Sequence, residues 1–232
     1  MRRLPPRAEF AIVLFFAFGL FTFNSVWALV AAPSSQQIAS EGGLLFLLAY
    51  ELITLWVLLS FLCARGWTAA TVGLKPTLDG TMLGGFLLTA VMLVDLVTAQ
   101  LIAAVWPQAF RMIAAVAQSF RMEVAADLPA GKALLTVVIF SVVNGLYEEL
   151  FVCGYVVTAL SKRCGAWTAI NVSVTIRFLY HLYQGPVAVL NVIPTGLMFA
   201  YVYARTGRLW PLVVAHAALD FVAFVFMPVT RG

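Results

Sequence analysis

The sequence predicts an all-α fold, a polytopic transmembrane helical bundle of about seven spans. Three observations lead there. Of the 232 residues, 63% are hydrophobic and 10% charged, where a soluble domain carries about 25% charged residues; the mean hydropathy is +0.99. Apolar runs near twenty residues long recur along the chain, which is the length a helix needs to cross a bilayer core. The cations gather in alternate connecting segments. The net charge of +4 is therefore read as membrane orientation, and no nucleic-acid partner is expected. One compact bundle accounts for the length.

The elements follow in order. Arg2, Arg3 and Arg7 precede an apolar run that ends in Ala28-Leu29-Val30-Ala31-Ala32. This imitates a secretory signal, but the run exceeds the usual apolar region of about 7–15 residues, so it is read as a retained first span. The spans are expected at Phe10–Ala31, Leu44–Cys63, Met82–Trp106, Ala133–Leu160, Ala166–Tyr183, Val187–Ala204 and Leu209–Met227. The stretch Gln108–Asp127 is less apolar and reads as an interfacial helix or a long loop. The last three spans are short and spotted with polar residues, which suits burial inside a bundle. Pro186, Pro194 and Pro211 fit broken or kinked helices around a cavity. Gly80-x-x-x-Gly84 has the form of a helix-packing motif; a single pair at a span end is read as incidental. Residues 1–131 are assigned to N-terminal spans and the interfacial segment, and 132–232 to a core of spans, within one integrated bundle. Cys63, Cys153 and Cys164 show no metal-ligand spacing, and an odd number excludes a complete disulfide framework.

Orientation follows from the positive-inside rule. With the N-terminus in the cytoplasm, nine of the 14 Lys and Arg residues fall in cytoplasmic segments and four in outer ones. The remaining cation, Arg177, lies within a span. Seven spans put the C-terminus outside.

The chemistry concentrates around Tyr147-Glu148-Glu149-Leu150. Each ionisable group at membrane depth costs roughly 2.5–3.5 kcal/mol on insertion scales, and two adjacent carboxylates oppose each other's ionisation. Partners are needed, and the only histidines, His181 and His216, both lie in later apolar segments. Counted along ideal helices, Glu148 sits roughly 18 Å from the reversal at Ser161–Gly165, and His181 roughly 22 Å past it. They are thus level on antiparallel neighbours. His216 and Asp220 are four residues apart and share a helix face, as do Arg177 and His181. A carboxylate with a neutral imidazole can hold and deprotonate water, and a second imidazole with an Asp can stabilise an oxyanion. The same atoms form a zinc-type ligand set or a transporter's proton relay, or serve as purely structural polar contacts. The absence of a two-fold repeat speaks against the transporter. Glu51 and Asp95 are further acids at membrane depth, read as protonated or facing the interior.

Glu148-Glu149-x-x-x-Cys153, Arg177-x-x-x-His181 and His216-x-x-x-Asp220 together resemble the CPBP intramembrane proteases. That family includes the type II CAAX prenyl endopeptidases and the Abi-type bacteriocin-protection proteins. Its pattern is Glu-Glu-x-x-x-Arg, Phe-x-x-x-His and His-x-x-x-Asn or Asp. Gly154-Tyr155 and Thr206-Gly207-Arg208-Leu209-Trp210-Pro211 are similar as well, and the likeness runs from about Ala133 to Phe226. The resemblance implies peptide-bond hydrolysis at the membrane of a membrane-associated protein or peptide. Glu148 would be the general base, helped by His181; Glu149 would support Glu148; His216 and Asp220 would form the oxyanion site. No cofactor is expected, a divalent metal such as zinc being the less favoured alternative. The location implied is the cell membrane, in a bacterial inner membrane.

Two positions depart from the pattern. Cys153 stands for the arginine and Arg177 for the phenylalanine. Arg177 is expected to supply across the helix pair the charge that Glu149 lacks on its own helix. Cys153 raises a second reading, a nucleophilic thiol in a sorting transpeptidase, which nearby carboxylates oppose. The rival from another class is a non-proteolytic bacteriocin-immunity or maturation protein that kept the motifs.

Overall fold

The structure, a computed structural model, describes residues 4–31, 41–111, 130–185 and 189–225. Most of Gln108–Asp127, together with Arg121, Pro186, Met227 and Arg231, lies outside the described residues. Helix α1 spans Pro6–Ala31, α2 Glu41–Ala64 and α3 Leu78–Val105. A long rod follows: α4 (Ala130–Glu149), a π-helical stretch (Leu150–Val157) and α5 (Thr158–Cys164). Then come α6 (Ala166–Tyr180), α7 (Val189–Thr206) and α8 (Trp210–Val225). Among the described residues every regular element is helical.

Four stretches are long and apolar enough to cross a membrane: Pro6–Ala28, Gly43–Ala64, Leu78–Val105 and Leu134–Cys164. The protein is a multi-pass membrane protein. Helices α6 and α8, at 15 and 16 residues, reach only ~22–24 Å at 1.5 Å per residue. They fit the interior of a bundle better than its lipid face, and a total of about seven spans is compatible with this architecture.

The packing explains which faces are apolar. In α3 only Gly80, Gly84, Leu87 and Val91 are buried, a narrow stripe against α8. Phe86 and Val105 stay 72% and 83% exposed, as lipid-facing residues do in a chain whose outer solvent is hydrocarbon. Helix α8 lies between α3 and α4, α6 packs on α7 and on the π stretch, and α1 covers α6. Gly80-x-x-x-Gly84 is not incidental, contrary to the expectation from sequence. A Cβ on Gly84 would lie 2.8 Å from the Pro211 carbonyl oxygen and from Val214, and one on Gly145 of α4 would lie 2.8 Å from the Ala217 nitrogen. Two glycines thus let α8, the helix carrying His216 and Asp220, approach its neighbours on both sides.

The fourth predicted span holds a second difference. Residues 150–157 are π-helical, and all eight are buried. β-Branched residues and a glycine are poor α-helix formers, and this stretch holds Val152, Val156, Val157 and Gly154. Neighbouring helices contribute hydroxyl donors to its carbonyls: Ser173 Oγ donates to Val152 O at 2.9 Å and Tyr203 OH to Gly154 O at 3.3 Å. Such π segments recur at functional sites, and this one begins directly after the carboxylate pair.

Candidate active site

Helix α4 supplies the two carboxylates. Consecutive residues on an α-helix point about 100° apart, so Glu148 and Glu149 face different neighbours. Glu149 is completely buried, while the Glu148 side chain keeps 12% exposure. Glu149 Oε1 accepts from Arg177 Nη2 at 2.5 Å and from His216 Nδ1 at 2.6 Å. Glu148 Oε2 accepts from Tyr180 OH at 2.5 Å, with Arg177 Nη1 at 3.4 Å.

Arg177 therefore bridges both acids from α6. It is 4% exposed, and its surroundings are shaped for it. A Cβ on Gly196 of α7 would come within 3.2 Å of its Cδ, and the Phe199 ring centroid lies 5.7 Å from its Cζ, a cation–π distance. The Cys153 thiol lies beside Glu149 and is a weak donor. Glu149 Oε2 has no hydrogen bond of ordinary geometry.

His216 is oriented by Glu149 through Nδ1, which leaves Nε2 3.8 Å from Glu148 Oε2 and 3.7 Å from Asp220 Oδ1. The Asp220 Oδ2 atom accepts from Asn144 Nδ2 at 2.7 Å. Thus Glu149 holds the imidazole and the guanidinium, and through Arg177 it is linked to Glu148.

His181 lies one turn after Arg177, as its spacing suggested, but at the end of the helix. Helix α6 ends at Tyr180, and His181 is its C-cap, with φ −102° and ψ 2°. The chain then makes a short 3-10 turn, Leu182–Gln184, and reaches Gly185 at φ 85° and ψ 159°, a conformation open essentially only to glycine. The Nδ1 of His181 lies 2.9 Å from the Arg177 carbonyl oxygen. A carbonyl can only accept, so Nδ1 carries the proton and Nε2 is left as an acceptor. Glu148, Arg177 and His216 are the charges His181 faces.

Glu148 also borders a cavity of about 10 Å³ with Phe18, Phe21, Tyr147 and Tyr180, close to the least space that holds one water. Tyr147 OH is turned away and donates to Ala17 O at 2.6 Å. Among the described residues no group of three or more His, Cys, Asp and Glu side chains is arranged to hold a metal ion. Glu51 of α2 is 1% exposed, with Oε2 unpartnered, and Asp95 accepts from Thr195 at 3.4 Å.

The sequence reading missed Asn144 and Tyr180. Both carried a signal: Asn144 lies one turn before Glu148, on its face, and Tyr180 lies next to His181.

Residues 130–222 match the family model of the Rce1-like proteins, type II CAAX prenyl endopeptidases. No curated protein and no solved structure matches the chain. The matched stretch contains both glutamates, Arg177, both histidines and Asp220, and it bears out the resemblance carried by the three motifs. The match supports the likeness of residues 130–222 to the type II CAAX prenyl endopeptidases, and with them to the CPBP family of membrane peptidases.

Proposed function

We propose that the chain is a glutamate-type intramembrane endopeptidase, hydrolysing a peptide bond of a membrane-associated protein or peptide. The observation that carries this is the difference between the two adjacent acids. Glu149 is sealed and tied to Arg177 and His216, whereas Glu148 borders a water-sized cavity. In this reading Glu148 takes a proton from a water as it attacks the scissile carbonyl. His181 Nε2, left free by the bond at Nδ1, helps to hold that water. His216 Nε2, fixed through Nδ1 by Glu149, points where negative charge develops on the carbonyl oxygen, and Asp220, held by Asn144, lies beside it. Tyr180 orients Glu148. The proton gained by Glu148 goes to the leaving amine.

Arg177 supports a metal-free form of this mechanism. Its guanidinium stands against both glutamates and already supplies the positive charge that a divalent cation would bring to them. The sorting-transpeptidase alternative has less support, since Cys153 is completely buried and a nucleophile must touch its substrate. The catalytic unit comprises the spans of residues 132–232, with the bacterial inner membrane as its location.

Comparing protein N- and C-termini in membranes of cells that make the wild-type chain or Glu148→Gln at equal levels tests the proposal. Termini that vanish with Glu148→Gln mark an endopeptidase. Identical termini, with any protective phenotype retained, mark a non-proteolytic immunity or maturation protein.

A further inference from the structure

A second cavity, of about 180 Å³, lies where the start of α1, the loop after α2 and the end of α5 meet. It is separate from the carboxylate pair: neither glutamate lines it, and Leu160, in its wall, is twelve residues beyond Glu148. One wall holds Glu9, buried and fully compensated. Its Oε2 atom accepts from Arg65 Nε at 2.8 Å, and its Oε1 atom from Trp67 Nε1 at 2.9 Å and Tyr155 OH at 3.4 Å. Arg65 is spent on that bond and on the Leu4 carbonyl oxygen at 2.7 Å.

Two more cations, Arg7 and Arg163, line the same cavity. Both are exposed, and neither makes an ion pair among the described residues. The cavity therefore carries two guanidinium groups beyond what Glu9 and Arg65 cancel. Guanidinium groups match phosphate oxygens in geometry as well as charge. The position adds a second constraint. The cavity lies at the ends of membrane-crossing helices, and Trp67 and Tyr155 have the amphipathic character of residues at headgroup level. Phe15 and Phe16 follow on α1, 69% and 53% exposed, a surface for acyl chains.

We infer that this cavity binds the phosphate group of an anionic phospholipid, held between Arg7 and Arg163 and seated on Trp67 and Tyr155. The inference is independent of the peptidase reading and uses none of its residues.

The test is titration of the purified, delipidated full-length chain with phosphatidylglycerol, phosphatidylcholine and inorganic phosphate, read by native mass spectrometry. Phosphatidylglycerol is expected to bind saturably and phosphatidylcholine weakly. The double variant Arg7→Gln/Arg163→Gln should lose about 25-fold in affinity, at roughly fivefold per cation near anionic lipid. Arg7→Lys/Arg163→Lys should fall between wild type and the double Gln variant, since an ammonium keeps the charge but not the fork, and Lys162→Gln, a neighbouring cation outside the cavity wall, should leave it unchanged. The proposal is overturned if the double Gln variant binds phosphatidylglycerol as the wild type does, if Lys162→Gln loses as much, or if phosphatidylcholine binds equally well. Inorganic phosphate that alone saturates the site and displaces the lipid at similar concentration would also overturn it, making the ligand a free anion.

Discussion

Arg177 on α6 holds Glu149 on α4 at 2.5 Å, with 4% and 0% of the two side chains exposed. The position from which the family's arginine would reach Glu149 is here Cys153. A cation from the neighbouring helix thus neutralises a carboxylate that has none on its own helix, and it touches Glu148 as well.

Removing one partner of a buried ion pair costs about 3–5 kcal/mol, because the other charge remains uncompensated. Arg177→Ala should therefore lower the thermal midpoint of the solubilised protein strongly and abolish activity. Arg177→Lys should fall between, since a single ammonium cannot fork to both glutamates. Arg177→Phe should fail alone and recover with Cys153→Arg, which returns the cation to the glutamate's own helix. A wild-type midpoint for Arg177→Ala would contradict the pairing.

Tyr180 OH donates to Glu148 Oε2 at 2.5 Å, and its ring stacks on Phe18 at 5.1 Å. Tyr180→Phe keeps the ring and deletes the donor. Misorienting the general base should lower kcat/KM at least ~10-fold, with a modest fall in the thermal midpoint from losing a bond to a charged group that contributes about 1.5–3 kcal/mol. Unaltered kcat/KM would mean that Tyr180 does not orient the base.

Cys153 is sealed beside Glu149. Cys153→Ala should leave turnover within about threefold of wild type, the lost volume being small. Full loss of turnover, with normal folding, would restore the thiol-nucleophile reading.

Adjacent glycines on α3 offer an internal control for packing. A Cβ on Gly84 meets Pro211 O and Val214 at 2.8 Å, while one on Gly85 meets nothing within 4 Å. Overpacking costs about 1–3 kcal/mol, so Gly84→Val should destabilise the protein and Gly85→Val should not. Equal midpoints for the two would remove the argument that α8 depends on this close approach.

Much of this arrangement was legible in the sequence, because charge within an apolar run has so few explanations. Glu148, Glu149, His181, His216 and Asp220 stood out for that reason, and helical rise alone set Glu148 level with His181. The four long spans followed from apolar length. Less legible was what depends on contacts between distant segments. The π-helical form of residues 150–157 depends on buried neighbours such as Ser173 and Tyr203. Helix α6 stops at Tyr180, with His181 as its C-cap and its ring against the Arg177 carbonyl oxygen, an end that apolar length does not mark. Which acid is sealed and which faces a cavity depends on the rotation of α4 against α6 and α8. Asn144 was hidden because an amide in a membrane helix carries no charge to flag it.

The central claim is that Glu148 activates the attacking water. Its most direct test is the rate at which wild type, Glu148→Gln and Cys153→Ala cleave a substrate identified from the changed termini, at matched abundance in membranes. Loss of a general base costs about 10²–10⁴-fold. The account predicts a fall of that size for Glu148→Gln beside near-normal cleavage by Cys153→Ala, whereas undiminished cleavage by Glu148→Gln would contradict it.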